Sequence, residues 1–519
     1  MKKGHNRVTF KPYNMNQSAL LPPSLDELVP QEHLVRVVNR AIEELNIDAL
    51  LRRYKGGGTS SFHPRMMLKV MVYAYTQKLY TSRKIAKALR ENIQFMWISG
   101  GNKPDFRTIN RFRGSVMKEV VGEVFTSVIE YLVEKKYVKL ENYFVDGTKI
   151  ESSANKYQWV WAKSTTNYKK QLQEKIKVLL DEIDLENEKE EEEYGDEDLE
   201  EMGGRNDDVD GKQLREMVDK LNQRLKELPD DKKLAKAVKT LETDYLPREE
   251  KYEEQAKILA GRKSYAKTDH DATFMRMKED HMLNGQLKPG YNIQMGTENQ
   301  FIVGFSIHQR PGDTACLISH LEEVKQQLGV LPKRIIADAG YGSEENYSYL
   351  EKEKIENYVK FNLFHKEQKR SWKKQRFRVE NWKYENDKDE YICPANERLT
   401  FRRELEKKTE LGYKQRLREY ECQNCNGCPM KSECTRAAGN RRVQVSPTLN
   451  RFRDQARSNL LSDQGRKLSI QRNVDVESVF GQIKHNGGFR RFLLKGKENV
   501  RTEWGLLCIA HNIAKLAVQ

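Results

Sequence analysis

Two short apolar segments that each run directly into an aspartate constrain the fold of this chain more than any other feature. The apolar residues 144–145 precede Asp146, Gly147 follows it, and the apolar residues 335–337 precede Asp338. Apolar runs of this kind predict buried β-strands. A carboxylate beside a buried strand is costly unless another group compensates it. Each aspartate therefore either begins a turn, which Asp-Gly favours, or helps to bind a cation.

The surrounding pattern predicts a mixed α/β (α+β) sheet. Strands are predicted at 290–296, 301–307 and 358–361, and helices at 316–328 and 344–353. Together with the two strands above, the order is βββ-α-β-α-β, that of a ribonuclease-H-like fold. Neighbouring strand ends in such a sheet meet at one crevice, where two aspartates would repel each other unless cations lie between them. Hard carboxylate oxygens suit Mg²⁺ or Mn²⁺.

A third acidic residue of interest lies on a helix near the end of the chain. The buried stripe of this predicted helix consists of residues at helical spacing, namely Val476, Val479, Phe480 and Ile483. Glu477 projects from the edge of that stripe, and Lys484, seven residues later, points the same way. Taken alone, the two residues are more simply interpreted as an exposed pair on an amphipathic helix.

The overall charge favours a polyanionic partner. The formal net charge is +15 and the pI is about 9.2, although residues 181–210 contain 17 acidic side chains. The rest of the chain is therefore more basic than the total, which favours nucleic acid as the partner. No apolar run reaches the length of a membrane span, and no hydrophobic region follows the first lysines. We therefore expect neither a membrane span nor a signal peptide.

The N-terminal residues 1–120 are predicted to form a helical domain. Apolar residues at helical spacing predict amphipathic helices at 34–45 and 66–79. Shorter basic helices at 82–90 and 105–113 fit a helix-turn-helix-like DNA-binding module, and they fit an ordinary helical domain with solvated arginines equally well. The candidate phosphate contacts are Arg83, Lys84, Arg107, Arg111 and Arg113.

Two insertions are predicted to interrupt the sheet-containing domain. The first is rich in Lys and Glu, which predicts a coiled-coil-like helical hairpin with a disordered acidic tip near residues 195–210. The second is basic and rich in aromatic and cysteine residues. The sheet-containing domain combines 135–155, 263–365 and 450–519, and the insertions are 156–262 and 366–449.

The second insertion contains a tight cluster of cysteines. Their arrangement is Cys422-x2-Cys425-x2-Cys428-x5-Cys434. Four thiolates at this spacing can close a tetrahedral structural Zn²⁺ site, and Cys393 could replace one of them. An iron–sulfur cluster and unligated thiols are the alternatives.

Together, these motifs resemble those of the DDE transposases of bacterial insertion sequences. The matching segments are Phe-Val-Asp146-Gly-Thr-Lys, Ala-Asp338-Ala-Gly-Tyr-Gly-Ser, and Val-Glu477-x-Val-Phe-Gly-Gln-Ile-Lys484 with Gly-Phe-Arg-Arg-Phe downstream. The resemblance covers nearly the whole chain. Many relatives carry a Tyr-x2-Arg-x3-Glu-x6-Lys signature. This chain keeps Glu477-x6-Lys484, but Arg472 lies one position farther from the glutamate, and Ser469 stands where the tyrosine would fall.

The resemblance implies a ribonuclease-H-like catalytic domain in which Asp146, Asp338 and Glu477 hold two Mg²⁺ (or Mn²⁺) ions. It also implies that the enzyme nicks the ends of a mobile element and joins the freed 3′-hydroxyl ends to target DNA. The residues expected to contact DNA near the active site are Arg472, Lys484, Arg490, Arg491 and Lys495.

The expected partners are double-stranded DNA, at the terminal inverted repeats and at the target, and further copies of the chain. Because two ends must be cut together, we expect a homodimer or a larger synaptic complex in the bacterial cytoplasm, associated with the nucleoid. Two alternatives remain: a metal-dependent nuclease on the same fold, and an inactive DNA-binding relative that acts as a repressor.

Overall fold

The structure, a computed structural model, describes residues 23–54, 61–194, 208–227, 231–277 and 285–518. Most of the predicted acidic tip near residues 195–210 lies outside these ranges. Within them the chain is a mixed α+β protein, which confirms the predicted fold class. No helix of the described ranges is long and apolar enough to cross a membrane.

The described strands form one large sheet, one smaller sheet and a separate pair. In chain order they are β1 (Asn142–Glu151), β2 (Trp159–Trp161), β3 (Ser264–Ala266), β4 (Thr273–Arg276), β5 (Leu287–Glu298), β6 (Phe301–His308), β7 (Arg334–Ala337), β8 (Glu356–Val359), β9 (Lys383–Glu385), β10 (Glu390–Ile392), β11 (Arg398–Lys408), β12 (Lys414–Cys422) and β13 (Arg442–Val445).

The large sheet has the predicted βββ-α-β-α-β arrangement. Its order is β4-β5-β1-β7-β8, and β6 also pairs with β5. β1 runs antiparallel to β5 and parallel to β7, which in turn runs parallel to β8. β1 is thus the central strand, and this confirms the predicted ribonuclease-H-like sheet.

One hydrophobic core joins this sheet to the N-terminal helices. The C-terminal helix Lys497–Leu516 packs against β6 and against the helices Pro64–Thr76 and Met117–Glu134. Trp504 is fully buried there, and the rings of Phe125 and Phe305 lie 5.0 Å apart. The N-terminal helices are therefore built onto the sheet through a shared core. The helices of this region are Leu25–Leu28, Leu34–Glu44, Asp48–Leu51, Pro64–Thr76, Ser82–Glu91, Ile93–Ile98, Phe106–Arg111 and Met117–Glu134, with a π-helical turn at Phe112–Val116.

The remaining helices around the sheet lie between β6 and β8 and after β13. Between strands they are Leu317–Leu328, the 3₁₀ turn Ala339–Tyr341 and Glu344–Lys352. After β13 they are Pro447–Leu461, Asp463–Arg472, Ser478–Gly481 and Lys497–Leu516, with π-helical turns at Asn473–Glu477 and Gln482–Asn486. The chain from Asp463 to Asn486 thus departs twice from regular α-helix.

In its described residues the first insertion forms a bundle of three helical elements, where the sequence predicted a hairpin of two helices. Its helices are Ala162–Tyr194, Gly211–Glu227 and a third element made of Lys232–Thr240, the π turn Leu241–Tyr245 and Leu246–Leu259. These helices pack around a core of their own. Each contributes buried side chains to it, for example Leu172, Leu214 and Leu234. Asp231 accepts the backbone N–H groups of Lys233 and Leu234 and so caps the start of the third element.

The second insertion is a five-stranded antiparallel sheet with a very small core. Its order is β13-β12-β11-β10-β9. The core consists of Tyr391, Leu399, Tyr420, Cys422, Cys425, Val443 and Val445. The short helices of this segment are Phe364–Glu367, Arg370–Lys373, Val379–Asn381 (3₁₀) and Lys431–Cys434. So few apolar side chains stabilise a folded unit only weakly.

Glu298, the last residue of β5, fixes the chain that leads into β1. Its carboxylate accepts the backbone N–H groups of four successive residues, 139–142, at distances of 2.7–3.2 Å. The side chain is only 5% exposed. Each buried donor left without an acceptor costs about 1–3 kcal/mol, so this carboxylate is important for the position of β1.

We predict that Glu298→Ala lowers the free energy of unfolding by at least about 3 kcal/mol, because four backbone donors lose their acceptor. Urea denaturation followed by tryptophan fluorescence measures this change, and hydrogen–deuterium exchange of residues 139–142 localises it. Glu410→Ala is the control, since the Glu410 side chain is 82% exposed and its ion pair is long, at 3.9 Å. Equal effects of the two substitutions would contradict the role of Glu298.

Candidate active site

The two predicted aspartates lie side by side on adjacent parallel strands. β1 and β7 pair from Asn142 with Arg334 to Val145 with Ala337, so Asp146 and Asp338 are the next residues on the two strands. Because paired strands lie about 4.8 Å apart, the two carboxylates start from neighbouring positions.

The structure shows that the two strand ends differ. β1 does not end at Asp146: it continues to Glu151, and residues 146–151 stay paired with β5. A turn at Asp146 is therefore wrong. At Asp338 a turn does begin, since its carboxylate accepts the N–H of Gly340 at 2.8 Å and caps a 3₁₀ turn.

Lys360 occupies the same level on the third parallel strand. Val359 is paired with Ala337, and the backbone N–H of Lys360 donates to the carbonyl of Ala337 at 3.2 Å. Burial lowers the pKa of Lys360 and the charge of Arg472 lowers it further, whereas Asp338 and Glu477 raise it. Sequence reasoning missed Lys360 because it placed the residue inside a strand at 358–361. The available signal was a cation at the end of an apolar run.

Arg472 joins two of the three predicted acids. It is 5% exposed, and its guanidinium lies 3.1 Å from Oδ2 of Asp146 and 3.5 Å from Oε1 of Glu477. A positive charge between two carboxylates compensates their mutual repulsion. Glu477, with 56% of its side chain exposed, remains accessible from solvent. Arg472 was expected among the DNA contacts, but the structure places it in the interior.

A π-helical turn accounts for the spacing of Arg472 and Glu477. The helix that ends at Arg472 continues as the π turn Asn473–Glu477. In an α-helix, residues four apart share a face, whereas a π turn closes hydrogen bonds between residues five apart. The extra residue between Arg472 and Glu477 is thus accommodated, and the two side chains can form their ion pair.

A fourth carboxylate, Asp313, approaches from the loop after β6. Its Oδ1 accepts the side-chain amides of Asn292 at 2.8 Å and of Gln294 at 2.9 Å. A Cβ at Gly147 would lie 2.4 Å from this same oxygen. A glycine is therefore required at position 147 because the Asp313 side chain lies close to the backbone there, and not because the chain turns after Asp146. The sequence did not indicate Asp313, because this residue does not directly follow the end of a predicted strand.

Tyr341 is a buried residue that feels the charge of Asp313 as well as those of the two predicted aspartates. Its hydroxyl is buried and donates to Oε1 of Gln294. Burial raises the pKa of Tyr341, and the charges of Asp313, Asp146 and Asp338 raise it further. The charges of three aspartates thus act on one buried phenol.

The donor set suits a hard divalent cation in type. Asp146, Asp338, Asp313 and Glu477 all offer carboxylate oxygens. In the ranges that the structure describes, no group of three or more His, Cys, Asp or Glu side chains is positioned to hold a metal ion as it stands. Arg472 provides the positive charge between Asp146 and Glu477, so a cation that joined these two acids would have to replace it there.

The predicted DNA contacts divide into exposed and interior residues. The exposed ones are Arg83, Lys84, Arg107, Arg111, Arg490, Arg491 and Lys495. Arg113, Arg472 and Lys484 are 4–5% exposed. Arg113 donates to the carbonyl of Tyr80 at 2.7 Å and to Oδ1 of Asn110 at 3.2 Å. These bonds give Arg113 a structural role away from any phosphate.

Three exposed arginines line one groove, which we call the basic groove. It has a volume of about 620 Å³ and is lined by Ser82, Arg83, Phe106, Arg107, Asn110, Arg111, Gly114, Ser115, Leu494 and Asn499. Phe106 orients two of the arginines, since the guanidinium carbons of Arg83 and Arg107 lie 4.6 and 5.8 Å from its ring centroid. The groove thus brings together residues from the N-terminal helices and the C-terminal part of the chain.

The segment 487–494 connects the helices of the groove with β1. Tyr80 donates its hydroxyl to the carbonyl of Gly487 at 2.8 Å and packs against Phe489. At the other end, Glu151 of β1 exchanges backbone hydrogen bonds with Arg490, at 3.2 Å, and with Phe492, at 2.8 Å. The backbone of Arg490 is thus joined to the strand that carries Asp146, and its side chain is exposed.

All four predicted cysteine ligands line one cavity of about 20 Å³. The cysteines of this cavity are Cys393, Cys422, Cys425, Cys428 and Cys434. Burial raises the pKa of the Cys434 thiol, and the charges of Cys393, Cys425 and Cys428 raise it further. The structure therefore brings together the four predicted cysteines and Cys393, which was predicted as a possible replacement for one of them.

Two family descriptions match this chain. "Transposase domain (DUF772)" matches residues 23–115, and "Transposase DDE domain" matches residues 392–517. The first match contains most residues of the basic groove. The second contains Glu477 and the cysteine cavity, while Asp146 and Asp338 lie between the two matched segments. No curated protein and no solved structure matches the chain.

The role of Gly147 can be tested by adding a methyl group. Gly147→Ala places a Cβ 2.4 Å from Asp313 and 2.5 Å from Gln294, and overpacking of this kind costs about 1–3 kcal/mol. We expect a lower midpoint in thermal unfolding. Gly114→Ala is the matched control, because its Cβ meets no atom within 4 Å. If both variants unfold at the same temperature, the close approach of Asp313 to β1 is refuted.

Proposed function

We propose that this chain, which resembles the DDE transposases of insertion sequences in its motifs, its sheet and its family matches, cleaves the ends of a mobile element and joins them to target DNA. The two family matches support a transposase function in general. The specific activity proposed here rests on the candidate active site. Its ligands are double-stranded DNA ends and a target duplex.

The observation that carries the proposal is the convergence of three acids from distant segments. Asp146 and Asp338 occupy the same level on adjacent strands, and Arg472 ties Glu477 to Asp146. More than 300 residues separate the first acid from the last in the sequence. A nucleic-acid-processing site that needs clustered carboxylates fits this arrangement, whereas a purely structural role for three such acids does not explain it.

Asp146, Asp338 and Glu477 are the residues that would hold two Mg²⁺ or Mn²⁺ ions. When bound, such ions supply activation of the attacking oxygen and stabilisation of the leaving oxygen. Before they bind, Arg472 holds the carboxylates of Asp146 and Glu477 together. We propose that Arg472 thereby orients the site in advance.

Lys360 is the cation best placed to meet the phosphate that reacts. It lies at the level of Asp146 and Asp338, and although burial lowers its pKa, the charges of Asp338 and Glu477 act against that lowering. A phosphodiester bound at this edge would bring negative charge to the same place. Lys360 would then fix the position of the scissile phosphate and compensate its charge.

The joining step needs no external energy source. The 3′-oxygen of the cleaved end attacks a target phosphorus, and the bond from that phosphorus to the target's own 3′-oxygen breaks. One phosphodiester replaces another, and the proton of the attacking hydroxyl ends on the departing one. The first step is the same substitution with water as the attacking group.

The basic groove is the proposed surface for the terminal inverted repeats. Its exposed arginines carry positive charge, and the segment with Arg490 leads from it toward β1. DNA bound in the groove could therefore continue to the site without leaving basic surface. Because two ends must be processed together, we propose that the chain acts as a dimer or larger assembly.

A structural Zn²⁺ in the cysteine cavity is the third part of the proposal. Sulfur ligands suit Zn²⁺, and the small sheet around the cavity has little apolar core of its own. Binding of the ion would require the thiols to rotate from their present positions, since no metal position is preformed in the described ranges. Zn²⁺ would stabilise the fold of this insertion and take no part in the reaction.

Asp146→Asn should abolish cleavage of DNA with element ends while leaving end binding unchanged, because the amide keeps the shape of the side chain and removes its charge. A gel assay of cleavage and a mobility-shift assay of binding measure the two. The control is Asp454→Asn, since the Asp454 side chain is 71% exposed. Unchanged cleavage in the Asp146 variant would refute the site. A strand-transfer assay with pre-cleaved ends separates a transposase from a nuclease, which yields no joined product.

The double variant Arg83→Gln and Arg107→Gln should weaken end binding and reduce the slope of log affinity against log salt by about two, one for each lost phosphate contact. Binding measured over a series of salt concentrations gives this slope. Arg52→Gln serves as control, because Arg52 is 73% exposed and lies outside the groove. An unchanged slope in the double variant would exclude the groove as a phosphate-binding surface.

A further inference from the structure

The start of the second insertion carries a concentration of positive charge that belongs neither to the candidate active site nor to the basic groove. Residues 361–379 contain seven Lys and Arg residues and one acid, Glu367. Five of the cations are exposed and form no ion pair within the described ranges, and we call them the second basic surface: Lys366, Lys369, Arg370, Lys373 and Lys374. Positive charge at this density favours a polyanionic partner.

The one acid of this stretch is compensated by another residue. Both carboxylate oxygens of Glu367 accept hydrogen bonds from the guanidinium of Arg457, at 2.7 and 3.1 Å. Arg376, which follows the second basic surface, pairs with Glu433 at 3.1 Å. The charge of the second basic surface is therefore not neutralised within the described ranges.

Buried contacts hold this stretch in a fixed shape. Trp372 lies among the five cations in the sequence and is only 5% exposed, and the guanidinium carbon of Arg378 lies 3.9 Å from its ring centroid. The side-chain amide of Asn381 donates to the carbonyl of Trp372 at 2.9 Å. The indole N–H of Trp382 donates to the carbonyl of Arg376 at 2.7 Å. Because the backbone is already ordered, a ligand bound here pays less ordering entropy.

The second basic surface begins beside the candidate active site. The chain turns directly after Lys360 at the end of β8, where the N–H of Phe364 donates to the carbonyl of Phe361 at 2.9 Å. Burial lowers the pKa of His365, and the charges of Lys360 and Lys369 lower it further. Positive charge therefore continues from the edge of the candidate site onto the second basic surface.

The helix Pro447–Leu461 fixes this surface relative to the sheet. Its Arg457 forms the two hydrogen bonds with Glu367, and its Asn459 donates a side-chain amide to the carbonyl of Asn357 on β8 at 2.9 Å. One helix thus contacts both β8 and the first residues of the insertion. The position of the second basic surface beside β8 follows from these contacts.

The two basic surfaces reach the acids from different directions. The segment that contains Arg490 bonds to β1 at Glu151, which lies beyond Asp146 along the strand. The second basic surface instead follows β8, which lies on the other side of β7 from β1. The proposed joining step needs two duplexes at one set of acids, the cleaved end and the target. Two surfaces in different directions supply one path for each duplex.

The chemistry of the second basic surface suits DNA of any sequence. Four of its five residues are lysines, whose ammonium groups act as point charges toward phosphates. The helices Phe364–Glu367 and Arg370–Lys373 have four residues each and are too short to read bases in the major groove. Phosphate contacts position a duplex without reading its sequence. We infer that the second basic surface binds the phosphate backbone of the target duplex, an assignment that rests on the proposed function.

Strand transfer with pre-cleaved ends and the full-length chain tests this inference. In the triple variant Lys369→Gln, Arg370→Gln and Lys373→Gln, we expect the KM for target DNA to rise several-fold and the rate at saturating target to be unchanged. The slope of log affinity against log salt, measured with a duplex that lacks element ends, should fall by about three. Binding and cleavage of element ends should be those of the unmodified chain, which also shows that the variant folds.

The matched control removes the same charge from the first insertion. It carries Lys232→Gln, Lys236→Gln and Lys239→Gln, all at exposed positions. Equal target KM and equal salt slope in the two triple variants overturn the inference. A rate that stays low at saturating target also overturns it, as does an equal loss of end binding, which would assign the surface to the element ends. Loss of a dimer in gel filtration with unchanged duplex binding would assign the surface to contacts between copies and likewise overturns it.

Failure of the proposed function gives a different result. An unmodified chain that joins no ends to target DNA refutes the proposed joining activity, and the assignment to a target duplex falls with it. The salt slope still distinguishes the two failures, because it reports duplex binding by the second basic surface without requiring any reaction.

Discussion

The ion pairs of Arg472 with Asp146 and Glu477 are the interaction on which the candidate site depends. Carboxylates brought together at the edge of a sheet repel each other, and folding can tolerate them only where positive charge is near. Arg472 provides that charge from a helix that reaches β1 across the sheet. The same ion pairs fix the helix of Glu477 relative to β1. Arg472 thus compensates the negative charges and also holds the parts of the site together. Lys360 adds a second cation from the third parallel strand.

Strand register is the second constraint, and it has consequences well beyond the sheet. Because Val145, Ala337 and Val359 are paired in one row, the next residue on each strand is Asp146, Asp338 or Lys360. A shift of one residue would turn these side chains to the opposite face. Glu298 holds the chain before β1 and so protects this register. Gly147 then lets Asp313 approach β1 from the neighbouring loop.

The insertions show two different solutions to the stability of an added segment. The three-helix bundle has its own apolar core, built from leucines, isoleucines and valines, and all three helices contribute to it. The five-stranded sheet has only a few buried side chains, and two of them are cysteines of one cavity. A small core is compensated by cross-links or metal ions in many small units. The charge of the two insertions also differs, since the first contains the acidic segment and the second is basic and aromatic.

The sequence by itself determined the mixed fold and the strand order along the chain, and it predicted the three acids of the candidate site, because apolar periodicity and the boundary between an apolar run and a charge are local properties. It also indicated the basic helices and the cysteine cluster. It did not reveal Lys360 or Asp313, and it placed Arg113 on the surface although that residue is 4% exposed. It could not explain why Arg472 lies one position farther from Glu477 than in the signature, because no local sequence pattern predicts a π-helical turn. Only the tertiary structure decided these points, since each depends on which distant strands pair and on which side chains then share one buried space.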